Sequence, residues 1–137
     1  MPFMEWSDVY SVQVPEIDED HKHLFDLMNE LHDAVEAKHG HEVLAKTLDG
    51  LIQYVSHHFN HEEGLFLRTG YPGYEEHKRE HELLTGQALD VQAKFLEGRS
   101  ETLPEEVLQF LKDWLCMHTT GSDRKFGVFV NTSGIEL

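Results

Sequence analysis

The sequence predicts an all-α fold: an up-down-up-down antiparallel four-helix bundle with an extended N-terminal arm and a short C-terminal segment. Four stretches carry apolar residues at helical spacing, and short breaks marked by glycine or proline separate them. At 137 residues, 39% of them hydrophobic, the chain is long enough to bury a core without staples, and one domain is expected over 1–137.

The arm, residues 1–17, holds Trp6, Val9, Tyr10, Val12, Val14, Pro15 and Ile17 without helical spacing, so it is expected to lie extended over the core. Helix A is expected over about 18–38. Ile17, His21, Leu24, Phe25, Met28 and Leu31 form its inner stripe, while Glu19, His23, Asp26 and Glu30 face away. Its acidic first turn suits the helix dipole, and Gly40 supplies a stop. Helix B is expected over about 41–68, with Leu44, Leu48, Leu51, Ile52, Val55, His58, Glu62 and Leu65 in phase. Thr69-Gly70-Tyr71-Pro72-Gly73 then breaks it.

Helix C is expected over about 74–97, through Tyr74, His77, His81, Leu84, Ala88, Val91 and Phe95, with Gly98 as its end. Thr102-Leu103-Pro104 followed by two glutamates opens helix D, expected over about 104–121. Val107, Phe110, Leu111, Trp114, Leu115 and His118 make its inner stripe. The segment 124–137, with Phe126, Val128, Phe129 and Val130, has no assignable form.

The chemistry is concentrated in residues 54–66. His58 and Glu62 stand one helical turn apart on the apolar face, where an imidazole and a carboxylate are costly unless a partner satisfies them. A metal ion suits that pair of ligand types. The same apolar phase places His21 on helix A, His77 and His81 on C, and His118 on D. Asp123 follows His118 at i+5, which on a regular helix points elsewhere. The weak helix sequence Thr119-Thr120-Gly121-Ser122 would let a widened turn bring that carboxylate back. His57 and His61 align with Gly50, Gln53, Tyr54 and Gly64, His23 aligns with acids, and His39 and His41 sit at a helix boundary. All are expected to be surface histidines, with His32 at the edge of the A stripe.

Five imidazoles and two carboxylates exceed one octahedral ion. Two six-coordinate ions offer twelve positions. The imidazoles take five, two bridging carboxylates four and one bridging oxygen two, which leaves one position for a small ligand. Zinc is the main competing metal, but structural zinc prefers a closed tetrahedron. A ferritin-like site needs Glu-x-x-His on two helices, and the chain has that spacing only at Glu36–His39.

Composition narrows the partners. Eleven basic against 26 acidic residues give a formal charge of −15, which disfavours nucleic acid and anionic membrane surfaces. No stretch approaches a membrane span, no secretory signal opens the chain, and the single cysteine, Cys116, fits a reducing, cytoplasmic setting as a small buried hydrophobe. Eleven histidines are about three to four times the usual share.

Four segments carry a family likeness: Ile17-Asp-Glu-Asp-His21-Lys-His-Leu-Phe25, His58-Phe-Asn-His-Glu62-Glu63, His77-Lys-Arg-Glu-His81, and Trp114-Leu-Cys-Met-His118-Thr-Thr-Gly-Ser-Asp123. Together they resemble the hemerythrin family, in particular its single-domain bacterial members, over roughly residues 3–130. The resemblance implies two iron ions (Fe2+/Fe3+) with a bridging oxo or hydroxo group. His77, His81 and His118 would hold one, His21 and His58 the other, and Glu62 and Asp123 would bridge both. It implies reversible O2 binding by a carrier, store or sensor, with no catalytic residue and with an oxygen-using enzyme as the downstream partner. Use of the same centre by a peroxidase or oxidase, and a zinc-holding structural bundle, are the alternative readings.

Phe25, Met28, Phe59, Trp114, Leu115 and Thr119 are the residues expected to line the O2 pocket. Two positions depart from the family pattern: Thr119 stands where a bulky apolar residue, often isoleucine, is usual, and Phe126 where tyrosine is usual. A hydroxyl at 119 is expected to make the pocket wetter and oxidation of the oxygenated form faster.

Overall fold

A computed structural model describes residues 3–38, 40–97 and 104–135. Four long helices, α1 (Pro15–Glu36), α2 (His41–Thr69), α3 (Tyr74–Leu96) and α4 (Pro104–His118), form an antiparallel bundle. Each packs on its two neighbours, α1 against α2 and α4, and α3 against α2 and α4. A π-helical turn over Thr119–Asp123 follows α4 and leads into a short helix, α5 (Arg124–Thr132). Among the described residues no helix is long and apolar enough to cross a membrane.

The differences from the expected elements have local causes. Helix α1 starts at Pro15, ahead of Asp18, because proline at the first helical position loses no hydrogen bond and has its φ preset. It stops before Gly40, where Lys38 turns left-handed (φ 57°). At the end of α2, Gly70 (φ 68°) takes the same conformation without a steric cost, and Tyr71 N–H closes back on Phe66 C=O at 3.0 Å. The expected helix D divides at His118, and the C-terminal segment is helical through Thr132. On α4, Leu108 is buried while Phe110 is half-buried, so the inner stripe is rotated slightly from the expected one. Gly98, the Thr102-Leu103 lead-in and His39 lie outside the described residues.

The arm is extended apart from one 3-10 turn at Asp8–Tyr10, and polar side chains pin it. Asp18 accepts from Val12 N–H (2.9 Å) and Ser11 Oγ–H (2.6 Å). The Asn29 amide meets both backbone groups of Met4, accepting at 2.7 Å and donating at 2.8 Å. Gly127 of α5 lets the backbones touch, because a Cβ there would sit 1.9 Å from the Val12 carbonyl oxygen.

Two apolar clusters result. The larger fills the bundle from Leu24 and Phe25 through Leu31, Leu48, Val55, Leu111 and Leu115. The smaller joins Val12, Val14, Ile17, Leu65, Phe66, Phe126 and Val130 at the other end. Phe126, without the tyrosine hydroxyl, is fully buried between Phe66 (4.7 Å) and Tyr71 (5.1 Å). His21 lies between Ile17 and Leu24, and His58 and Glu62 lie between Val55 and Leu65. The inner polar residues thus occupy the level where the two clusters meet.

Candidate metal centre

All of His21, His58, Glu62, His77, His81, His118 and Asp123 are buried. Their ligand atoms fall into two overlapping groups, each within 4.8 Å: Glu62, His77, His81, His118 and Asp123, and His21, His58, Glu62 and Asp123. The two carboxylates are common to both. Asp123 Oδ1 faces His77 Nε2 (3.0 Å) and His118 Nε2 (3.1 Å), while its Oδ2 faces His21 Nε2 (2.9 Å). Glu62 Oε1 lies 3.2 Å from the Nε2 atoms of both His58 and His81.

The π-turn makes this convergence possible. A regular helix would send Asp123 about 140° away from His118. Widening the last turn swings the carboxylate back beneath the imidazole, and Glu80 of α3 clasps both ends of that turn. Its Oε1 accepts from His118 Nδ1–H at 2.6 Å and its Oε2 from Ser122 Oγ–H at 2.5 Å. The His118 hydrogen bond, helped by Ser122, holds the Glu80 carboxyl down at about 2 against its burial.

Two further carboxylates play the same part. Asp20 Oδ2 accepts from His58 Nδ1–H (2.8 Å) and His61 Nδ1–H (2.6 Å), and Tyr54 Oη–H reaches its Oδ1 (3.2 Å). Glu63 Oε2 accepts from His81 Nδ1–H at 3.1 Å. A rule emerges: Asp20 on α1 serves a histidine of α2, Glu63 on α2 one of α3, and Glu80 on α3 one of α4. Each fixes the ring so that Nε2 faces inward, as the supporting carboxylates of metal-bound histidines do. The series stops at α1, where His21 Nδ1 has no partner.

Sequence reasoning did not find Asp20, Glu63 and Glu80. Each is the sequence neighbour of an inner donor, which is the one signal that could have flagged them. His61, expected on the surface, is 34% exposed at its side chain and bound to Asp20. His23, His57 and His41 are exposed, although His41 stacks on Phe95 (4.7 Å). His32 is half-buried and stacks on Phe3 (4.6 Å). Cys116 is only half-buried, and burial pushes its thiol up.

The donor set itself shows whether a metal fits. Glu62 and Asp123 are 0% exposed, yet none of their four oxygens has an aligned hydrogen-bond donor. Two adjacent buried anions need positive charge close by. The ring nitrogens face one another as well: His21 and His58 Nε2 are 3.1 Å apart, His81 and His118 3.2 Å, and His77 and His118 3.4 Å. A proton can serve only one nitrogen of each such pair. A cation serves all, since neighbouring donors at about 2.1 Å from an octahedral ion lie about 3.0 Å apart.

Without metal, protons take that place. Burial alone would push His58 down, but the Glu62 charge and the Asp20 hydrogen bond outweigh it and raise the imidazole to about 10. Burial would push Asp20 up, but its two histidines bring it to about 2. Burial likewise opposes the ionised form of Asp123, and the neighbouring His118 overcomes this to hold the carboxyl well below its usual range.

The signs give a pH prediction. The raised His58 contributes stability that is complete below its ordinary value of 6.5 and is lost as pH rises toward about 10. The lowered Asp20 contributes stability that is present above 3.8 and is lost as pH falls toward about 2. The metal-free protein is therefore expected to melt highest between about pH 4 and 6.5 and to lose stability above it. Metal retention runs the other way, because ligation needs deprotonated Nε2 atoms and strengthens as pH rises. Thermal melts of both forms from pH 4 to 10 check this, and parallel pH profiles would contradict it. Glu80→Ala is expected to weaken metal affinity by about 10- to 100-fold in a chelator competition. Unchanged affinity would remove Glu80 from the account.

Comparison with known proteins agrees with this donor chemistry. The family model described as the hemerythrin HHE cation binding domain matches residues 12–129. A bacteriohemerythrin of Methylococcus capsulatus is 36% identical over 128 residues, covering 93% of this chain and 96% of that one. A bacteriohemerythrin of Pseudomonas aeruginosa is 31% identical across 100% of this chain and 88% of its own. The crystal structure of wild-type hemerythrin superposes with a TM-score of 0.82 at 35% identity, covering 91% of this chain and 95% of that one. A mutant hemerythrin structure reaches 0.84 at 34% identity, covering 93% and 96%. A bundle that walls in a cation-binding donor set, over nearly the whole length of these relatives, makes this chain a member of the hemerythrin family.

Proposed function

We propose that the protein binds dioxygen reversibly at two iron ions held by the buried donors. His77, His81 and His118 would hold one ion, His21 and His58 the other, with Glu62 and Asp123 shared. The observation that carries this reading is the unequal split of the two groups: three imidazoles in one and two in the other around the same carboxylates. With one bridging oxygen, the first group completes six ligands and the second reaches five. The reading therefore leaves one position free on the two-histidine side. When bound, the iron pair supplies the two electrons that dioxygen takes up.

The chain's own residues supply orientation and exclusion of water. Asp20, Glu63 and Glu80 hold three rings by their Nδ1–H groups. Phe59 stacks flat on His81 at 3.9 Å, and Phe66 lies against His77 at 4.5 Å, so both rings are fixed from the apolar side as well. Trp114 packs 5.9 Å from Phe59 and is itself held by Nε1–H donating to Leu84 C=O at 3.3 Å. A cavity of about 10 Å³ adjoins this region, lined by Leu24, Met28, Val55, Trp114 and Leu115 among others. It has about the room of one water molecule but offers no polar partner, so it suits a small apolar gas better than water.

Aerobic purification followed by metal analysis is expected to give two iron ions per chain and a visible absorption band. That band should bleach on anaerobic reduction, return with air and fade when oxygen is withdrawn. Zinc in place of iron, or oxygen consumed with turnover and no recoverable oxygenated form, would overturn the proposal.

A further inference from the structure

The buried hydroxyl of Thr119 has no role in the arrangement described so far. Four other helical threonines satisfy their hydroxyls by donating to the carbonyl one turn back: Thr47 to Val43 (2.9 Å), Thr69 to Leu65 (2.8 Å), Thr120 to Cys116 (2.8 Å) and Thr132 to Val128 (2.8 Å). Thr119 does not, although it is 0% exposed, and its Oγ1 has no hydrogen-bond partner. A buried hydroxyl left in that state costs about 1–3 kcal/mol.

Its position on α4 shows what it faces. Thr119 continues, one turn on, the stripe of Leu108 and Leu115. Helix α4 packs on α1 and α3, and Trp114 and His118 bond to Leu84 and Glu80 of α3, so buried Thr119, about 100° on from His118, lies on the α1 side. Helix α1 carries His21, one of the two imidazoles in the smaller donor group. Thr119 also immediately follows His118 and begins the turn that delivers Asp123. An unspent O–H donor thus stands on the side of the donor set that has one imidazole fewer.

We propose that Thr119 Oγ–H donates a hydrogen bond to the small ligand held on the two-histidine side, so that the site favours ligands presenting an acceptor atom, small anions above all. This rests on the proposed iron-holding function and adds a chemical preference to it.

The test is azide binding to the oxidised, iron-loaded full chain, followed by optical titration and by the infrared stretch of bound azide in H2O and D2O. Three proteins are compared: wild type, Thr119→Val, which keeps the shape and removes the hydroxyl, and Thr119→Ser, which restores it. Thr119→Val is expected to bind azide about 3- to 10-fold more weakly, the loss of one hydrogen bond. Wild type and Thr119→Ser should show a solvent-isotope shift of the azide stretch that Thr119→Val lacks. Equal azide affinity in all three at equal iron content, with no isotope shift in wild type, would overturn the inference and leave the iron centre standing. In that case the hydroxyl only packs, and Thr119→Val should do no more than raise the melting temperature. A chain that takes up no iron overturns both readings.

Discussion

Two fully buried carboxylates with no aligned donor among the described residues set the terms for this molecule. Glu62 and Asp123 come from different segments, lie side by side at the middle of the bundle, and have oxygens that no N–H or O–H properly meets. Burying each as an anion costs several kcal/mol unless compensated. The compensation has to be positive charge at a distance of one bond, and five imidazole nitrogens are gathered there to share it. The rest of the fold can be read as the means of holding that gathering in place. An apolar cluster closes it on either side, and aromatic rings press on its histidines. One irregular turn supplies the last ligand-bearing side chain.

The supporting carboxylates explain how four separate rods keep their rings in register. Each acceptor is bonded to the chain next to a donor of its own helix but orients a ring on the following helix. Rotation of α1, α2 or α3 would therefore displace a donor and a supporting carboxylate at once. The circuit is open between α4 and α1, where His21 lacks an acceptor and Thr119 lacks a partner. That gap falls on the side with fewer imidazoles. The likeness to the hemerythrins reaches beyond the donors to nearly the full length of the chain.

Much of this could be read in the primary structure because burial in a helical bundle leaves a periodic trace. The inner stripes of α1 and α2 follow from 3.6-residue spacing, and the histidines that fall in phase with leucine are the ones the structure brings together. Asp123 needed an additional physical argument, the poor helix sequence after His118. The misses share a cause. Asp20, Glu63 and Glu80 act across helix interfaces, and spacing within one helix carries no information about which ring a carboxylate on the next rod will meet. His61 was misplaced for the same reason, since its bond to Asp20 depends on how α1 and α2 pack. Leu108 and Phe110 exchanged roles because α4 is short and its phase is set by docking. The helical form of residues 124–132 was illegible because its apolar residues pack on the arm, far away in sequence.

Mössbauer spectroscopy of the oxygenated protein loaded with 57Fe tests the central claim most directly. In the proposed reading two carboxylates are shared between unequal sets of imidazoles and the small ligand sits on one side alone, so the two iron sites differ and give two quadrupole doublets of equal area. A single doublet, or two in unequal and variable proportion, would contradict a paired and asymmetric centre.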